Sequence, residues 1–308
     1  MCYTVGMSIK EFVAKTFFDF AYAIAYRPVS GSDICRFPKG GDTSFRLLKP
    51  SLRFWYADPL LTEIEGKEYL FAEVYDRKKK KGFIGVSDFS ENGILSKPKC
   101  ILEESFHLSF PVVFPYEGQY ILMPECSESG ALRFYRLDPD SLSVSLIREI
   151  KTKEKLVDTV LYHADGKKLT FLSCAENPDN PKQTSLIMFE LSELENGKMT
   201  YLPLRPEYSG PSYLLRNGGP VYEYENQKIR ILQESTETEY GHNLLFRKVS
   251  GFEKAYAEEE FSSLYLEDLP ISLPVTYRRQ GTHTYSKTAN HEVIDISFNR
   301  FHIGNMFY

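Results

Sequence analysis

The sequence predicts an all-β fold, a five-bladed β-propeller with a short N-terminal helix, on three observations. The first is a gapless repeat. "ADPLLTEIEGKEYLFAEVYD" (57–76) returns as "SFPVVFPYEGQYILMPECSE" (109–128) at an offset of 52, so that Pro59 aligns with Pro111, Gly66 with Gly118 and Glu73 with Glu125. "VDTVLYHADGKKLTFLSCAE" (157–176) follows at an offset of 100, with Asp158 in the place of Asp58. The second is that each copy reads as a hairpin. Apolar alternation runs into a Gly, Asn or Asp turn that tolerates positive φ, then resumes. The third is an aromatic content of 21 Tyr, 22 Phe and 1 Trp, which favours strands.

Taken in order, residues 8–18 read as a short amphipathic helix with Phe12, Phe17 and Phe18 near one face. Residues 1–20 form the N-terminal helical segment, and the propeller occupies 21–308. The blades fall near 54–100, 106–150, 156–200 and 211–260. The fifth combines 275–308 with the strand "YAIAYRPV" (22–29), which closes the ring. The fourth copy, "GGPVYEYENQKIRILQESTE" (218–237), turns at Glu225-Asn226, and the fifth, "THTYSKTANHEVIDISF" (282–298), turns near Asn290-His291. Hairpins followed by one or two further strands every ~50 residues are the signature of propeller blades. A two-sheet sandwich accounts for the strands but not for the regular offset.

Composition narrows the function. Apolar residues make up 42% and charged residues 26%, as in an ordinary globular domain. A net charge of −5 argues against nucleic acid as a partner. The five cysteines are widely spaced with no C-x-x-C, which disfavours structural zinc. An odd count without a secretion signal suits a reducing cytoplasm. The N-terminal apolar run is broken by Lys10, Glu11, Lys15 and Asp19, so no transmembrane segment is expected. The run "RKKKKG" (77–82) reads as a solvated basic hairpin loop, with a phosphate-bearing substrate as the minority reading.

In a propeller the inner strand of each blade starts at one mouth of the central channel. Asp58, Phe110, Asp158, Gly218 and His283 then crowd that mouth, joined by Glu73, Glu125, Ser173 and Gln233 from the second strands. Converging carboxylates suit glycoside chemistry, where one group protonates the leaving oxygen and the other activates water or attacks. Asp58, Glu125 and Asp158 are the candidate catalytic residues. Trp55, Glu73, Arg216, Gln233 and His283 are the candidate substrate-binding residues. Against each stands a structural alternative: Asp58 as a turn cap, Glu73 or Glu125 paired with Arg53, Arg133 or Arg216, and Trp55 as packing.

The stretch "YADPLLTEIEGKEYLFAEVYD" (56–76) resembles the first blade of the five-bladed glycosidase superfamily of arabinanases, β-xylosidases, fructosidases and levansucrases. The resemblance implies that Asp58 is the base or nucleophile and that Asp158 tunes the site. The superfamily's acid is a glutamate opening blade four. Here that region reads "YSGPSYLLRNGGP", with Glu207 upstream of it, so Glu125 is the substitute acid. Some of these relatives hold a metal ion in the channel, for which His283 and Asp295 are the candidate ligands; no other cofactor is expected. From Phe54 onward, the ordered segments "YLFAEVYD", "FHLSFPVVF", "ILMPECSE" and "GTHTYS" look like the propeller domain N-terminal to the transferase domain of glucosamine inositolphosphorylceramide transferases. The resulting expectation is a carbohydrate-active, glycoside hydrolase-like enzyme acting on a carbohydrate or glycoconjugate, by hydrolysis or transfer. A glycan- or lipid-headgroup-binding propeller, a glycosyltransferase of surface polysaccharide synthesis and a protein scaffold are the alternatives. Fold alone does not separate them.

Overall fold

A computed structural model describes residues 18–29, 44–177, 180–211, 215–236 and 240–301. They form five antiparallel sheets arranged as a five-bladed β-propeller. Blade one holds Phe54–Ile64, Lys67–Asp76, Lys81–Asp88 and Lys99–Leu102; blade two holds Ser109–Tyr116, Gln119–Glu125, Ala131–Leu137 and Val144–Lys151. Blade three holds Lys155–Asp165, Lys168–Asn177, Asn180–Leu191 and Met199–Leu202, with Ser209–Pro211 added; blade four holds Tyr222–Tyr224, Gln227–Glu234, Asn243–Ser250 and Ala257–Leu264.

Blade five closes the ring. Its inner strand is split into Tyr277–Gly281 and Tyr285–Lys287, and both pieces pair with His291–Phe301. That strand pairs along its full length with Phe18–Pro28, from Phe18 opposite Phe301 to Pro28 opposite His291. Arg46–Leu48 completes the sheet. Residues 18–20 are thus extended rather than helical, because Asn299 to Phe301 take their backbone hydrogen bonds. The remainder of the expected N-terminal helix, residues 1–17, lies outside the described residues. The helical pieces among the described residues are three-residue 3-10 turns. None is long and apolar enough to cross a membrane.

The hairpin turns adopt the geometry their residues allow. Glu65-Gly66, Glu117-Gly118 and Glu225-Asn226 all have positive φ at both positions, 50° and 75°, 46° and 75°, and 46° and 59°. This is the twist-matched turn favoured between antiparallel strands. The fifth turn falls at 288–290, just before the expected Asn290-His291, since His291 already pairs with Pro28.

The core lies between blades, where the apolar face of one sheet meets the next. Between blades two and three, Phe114 and Phe134 each lie 6.0 Å by ring centroid from Phe171, which stacks on Phe189 at 5.2 Å. All four rings are buried. Each contributes roughly 1.5–3 kcal/mol by burial.

Candidate active site at the propeller mouth

The repeat is written into the backbone at the channel mouth. Asp58, Phe110 and Asp158 have left-handed φ angles of 48°, 42° and 48°. Each sits at a register shift in its inner strand, between Ala57 and Leu60, Ser109 and Val112, and Val157 and Val160. A bulge re-aims side chains at the start of a strand. It also leaves a backbone N–H outside the ladder, and a buried N–H needs a partner.

Carboxylates from the preceding blade supply those partners. Asp58 N–H donates to Asp295 Oδ2 at 3.2 Å, Phe110 N–H to Asp58 Oδ2 at 3.1 Å, and Asp158 N–H to Glu125 Oε2 at 3.1 Å. In blade five, His283 and Thr284 N–H donate to Asp295 Oδ1 at 2.9 and 3.0 Å. Blade four contributes a cation and an amide instead. Arg216 clamps Asp158 with two bonds, Nε to Oδ2 at 2.5 Å and Nη2 to Oδ1 at 3.1 Å. Gln233 Nε2 bonds Asn217 O at 2.8 Å and reaches Asp158 Oδ2 at 3.4 Å. Gly218 allows the close approach here, since a Cβ on it would stand 2.7 Å from His283 O.

Asp58, Glu73, Asp158, Gln233, His283 and Asp295 are all buried, and Glu125 is half-buried. Asp58 also accepts from Thr284 Oγ1 at 2.9 Å, and its Oδ1 lies 3.7 Å from His283 Nε2. Burial raises the Asp58 carboxyl, while the His283 imidazolium and the Thr284 hydroxyl favour its ionised form. Burial disfavours the charged imidazole of His283, but Asp295 and Asp58 outweigh it and hold the group at about 8. His283 Nδ1 meets Asp295 Oδ2 as a close ion pair, off the alignment of a hydrogen bond. Burial and the Asp158 carboxylate push Glu125 up to about 8. Its remaining oxygen receives Ser127 Oγ at 3.2 Å, and Arg216 lies 3.7 Å away.

Glu73 differs from these. Among the described residues its Oε1 is buried without a hydrogen-bond partner, and burial followed by the charge of Asp58 raises the carboxyl well above the ordinary range. His107 Nε2 lies 3.4 Å from that oxygen. His107 Nδ1 accepts Gly82 N–H at 2.8 Å, so the ring proton of a neutral His107 sits on Nε2, towards Glu73. Burial depresses the His107 imidazolium, which favours that neutral ring.

The residues named from the sequence come together unequally. Asp58, Glu73, Glu125, Asp158, Arg216, Gln233 and His283 converge on the mouth. Trp55 stands beside it half-buried, stacked on Tyr75 at 4.5 Å and tilted against Tyr22 at 5.3 Å. Tyr22 in turn stacks on His283 at 4.8 Å. Ser173 turns into its own blade, bonding Thr159 Oγ1 and Val157 O. Of the arginines considered for Glu73 or Glu125, only Arg216 reaches one of them; Arg53 pairs with Asp76, and Arg133 with Glu104 and Glu149. Sequence reasoning passed over His107, Thr284, Tyr22 and Tyr75. The one signal for His107 was its place three residues before Phe110.

Asp58, His283 and Asp295 present ligand atoms within 4.8 Å of one another, a set able to hold a metal ion. The donors fit a small hard cation, but each carboxylate is already engaged by backbone N–H groups.

A family profile described as "Glucosamine inositolphosphorylceramide transferase 1, N-terminal" matches residues 49–293. Glucosamine inositolphosphorylceramide transferase 1 of Arabidopsis thaliana is 29% identical over 238 residues, covering 76% of this chain. The protein of that name from Oryza sativa subsp. indica is 29% identical over 240 residues, covering 77%. The chain spans 29% and 30% of the lengths of these relatives. Among solved structures, an exo-β-1,3-galactanase from Phanerochaete chrysosporium superposes with a TM-score of 0.52 at 8% identity, over 72% of this chain and 57% of that one. An α-L-arabinofuranosidase from Clostridium thermocellum gives 0.50 at 15% identity, over 70% and 75%. These two likenesses speak to the propeller fold.

Proposed function

Since the chain belongs to the family of the glucosamine inositolphosphorylceramide transferase 1 N-terminal domain, we propose that its propeller is a carbohydrate-active enzyme that cleaves or transfers a glycosyl unit of a glycoconjugate. The observation that carries the reading is Glu73: a buried carboxyl with an oxygen unbonded among the described residues and a pKa pushed well up, beside Asp58, whose carboxyl burial also raises but whose ionised form His283 and Thr284 favour. Such a pair, with environments that set the two protonation states apart, supports an acid and a base at one site.

In this reading Glu73 gives its proton to the leaving glycosidic oxygen. Asp58 takes a proton from the incoming water or sugar hydroxyl as that oxygen bonds the anomeric carbon and the old bond breaks. The neutral His107 faces Glu73 with its Nε2–H, which favours the carboxylate left after the transfer, and the proton that Asp58 has taken up returns to Glu73 through solvent between turnovers. Glu125, expected from the sequence to be the acid, is occupied by Asp158 N–H, Ser127 and Arg216. Its role becomes the positioning of Asp158. Arg216 and Gln233 face the mouth as hydroxyl or anion binders. That the structural neighbours include an α-L-arabinofuranosidase and an exo-β-1,3-galactanase agrees with a sugar ligand.

A second reading, a glycan- or headgroup-binding module, is favoured by the use of Asp58, Glu125 and Asp158 as ties between blades. One experiment separates the two. Wild type, Asp58→Asn and Glu73→Gln are incubated with a panel of aryl glycosides and nucleotide sugars, with product followed by NMR and ligand binding by thermal shift. The enzyme reading expects turnover by wild type and binding without turnover by both variants. A glycan that raises the wild-type melting temperature while no glycoside or nucleotide sugar is consumed establishes the binding module instead.

A further inference from the structure

The mouth opens on a face of blades one and five that combines exposed apolar side chains with a concentration of positive charge. The elements are contiguous through hydrogen bonds to the backbone. Arg77 N–H donates to Arg53 O at 3.0 Å, Arg77 Nη2 to Phe20 O at 2.8 Å, and Phe301 N–H to Thr276 O at 3.1 Å. Along this line Phe20, Leu52, Val275 and Phe301 are 47%, 54%, 104% and 45% exposed. The basic loop after Asp76 stands over it. Lys78 and Lys80 are exposed and, among the described residues, make no ion pair; the neighbouring Arg77 and Arg300 enclose Asp19. Arg278 lies exposed opposite Asn299, one residue from Arg300.

The chain as a whole is acidic, at −5, so the local excess of cations is set against its overall balance. A soluble polyanion would need the cations but not the bare Leu52 and Val275. Cations ringing exposed apolar side chains are what an anionic bilayer surface recognises, charge at the headgroups and apolar groups at the acyl boundary. We propose that this face docks the propeller on an anionic lipid surface, with the channel mouth turned towards the bilayer.

The test is co-sedimentation of the full chain with phosphatidylcholine vesicles containing or lacking about 30 mol% phosphatidylserine. Wild type is expected to partition onto the anionic vesicles only, and less so as salt rises. Each lysine near such a surface strengthens partitioning about fivefold, so Lys78→Gln with Lys80→Gln lowers it about thirtyfold. Leu52→Ser with Val275→Ser lowers it at every salt concentration, because these side chains act by burial and not by charge. Melting curves identify any variant that fails to fold, and such a variant is replaced by Arg278→Gln for charge or Val275→Ser alone for the apolar part. Absence of vesicle binding, equal binding to neutral vesicles, binding that survives either pair of substitutions, or retention on heparin with no vesicle binding each overturns the proposal.

Discussion

Asp58 and Phe110, repeat equivalents one blade apart, are joined directly: the Asp58 carboxylate accepts the Phe110 N–H at 3.1 Å, and both residues hold left-handed φ. An aspartate at a strand start is therefore explained structurally before any chemistry is invoked. Removing it leaves a buried N–H and the Thr284 hydroxyl unpaired. Asp58→Ala is expected to lower unfolding free energy by about 2–4 kcal/mol, from two such losses at about 1–3 kcal/mol each with partial relaxation. Urea denaturation measures this, and an unchanged midpoint would show that the tie is not made.

Glu73→Gln should behave in the opposite way. Burial favours the protonated form of its carboxyl and, among the described residues, one oxygen bonds nothing, so an amide of the same shape costs little, within about 0.5–1 kcal/mol. If Glu73 is the proton donor, turnover of a glycoside falls about 10²–10⁴-fold. A steady-state rate near wild type would remove Glu73 from the chemistry.

His283 makes stability depend on pH. Its folded pKa, about 8, stands above the ordinary 6.5. The stabilisation is thus fully present below about pH 6.5 and lost as pH rises through about 8. The shift corresponds to about 2 kcal/mol. Glu125, also raised to about 8, loses stability in the same direction over a wider range that begins at its ordinary value. Chemical denaturation at a series of pH values should therefore show a fall across about pH 6.5–8 that is shallower in His283→Gln. Equal slopes would refute the charged pair with Asp295.

Gly82 controls the approach of His107 to Glu73. A Cβ there would stand 2.5 Å from Leu108 O and 2.9 Å from both Glu73 Oε1 and His107 Cε1. Gly82→Ala is expected to cost about 1–3 kcal/mol. It should also move the His107 imidazole resonances in a histidine-selective NMR spectrum, and an unperturbed spectrum would count against the contact.

Arg216→Lys tests the fork on Asp158. Lysine keeps the charge but cannot make both bonds. With Arg216 partly open to solvent, a loss of about 1–2 kcal/mol is expected in thermal unfolding. A neutral outcome would mean that charge alone suffices.

The sequence made the blades legible because hairpins are local: the Glu65-Gly66 and Glu117-Gly118 turns and the matching Asp58 and Asp158 are visible in the letters alone. The pairing of mouth residues was less so. That Asp295 serves Asp58, or that His107 meets Glu73, depends on which blades are neighbours and where each bulge aims its side chain. Nor does anything local to Trp55 announce its contact with Tyr22, which comes from a strand of another blade. The apparent helix ending at Phe18 gave way from that residue onward because extended pairing with His291–Phe301 satisfies backbone groups that a short isolated helix leaves open.

The pairing of Phe18–Pro28 with His291–Phe301 also fixes when the molecule can be completed. During synthesis blades one to four can assemble as they leave the ribosome. The early strand 18–28 can pair with Arg46–Leu48 along one edge, but its other edge has no partner until residues 291–301 emerge. Ring closure thus waits for residues 291–301, and until then the open edge of strand 18–28 is the place where wrong pairing is to be guarded against.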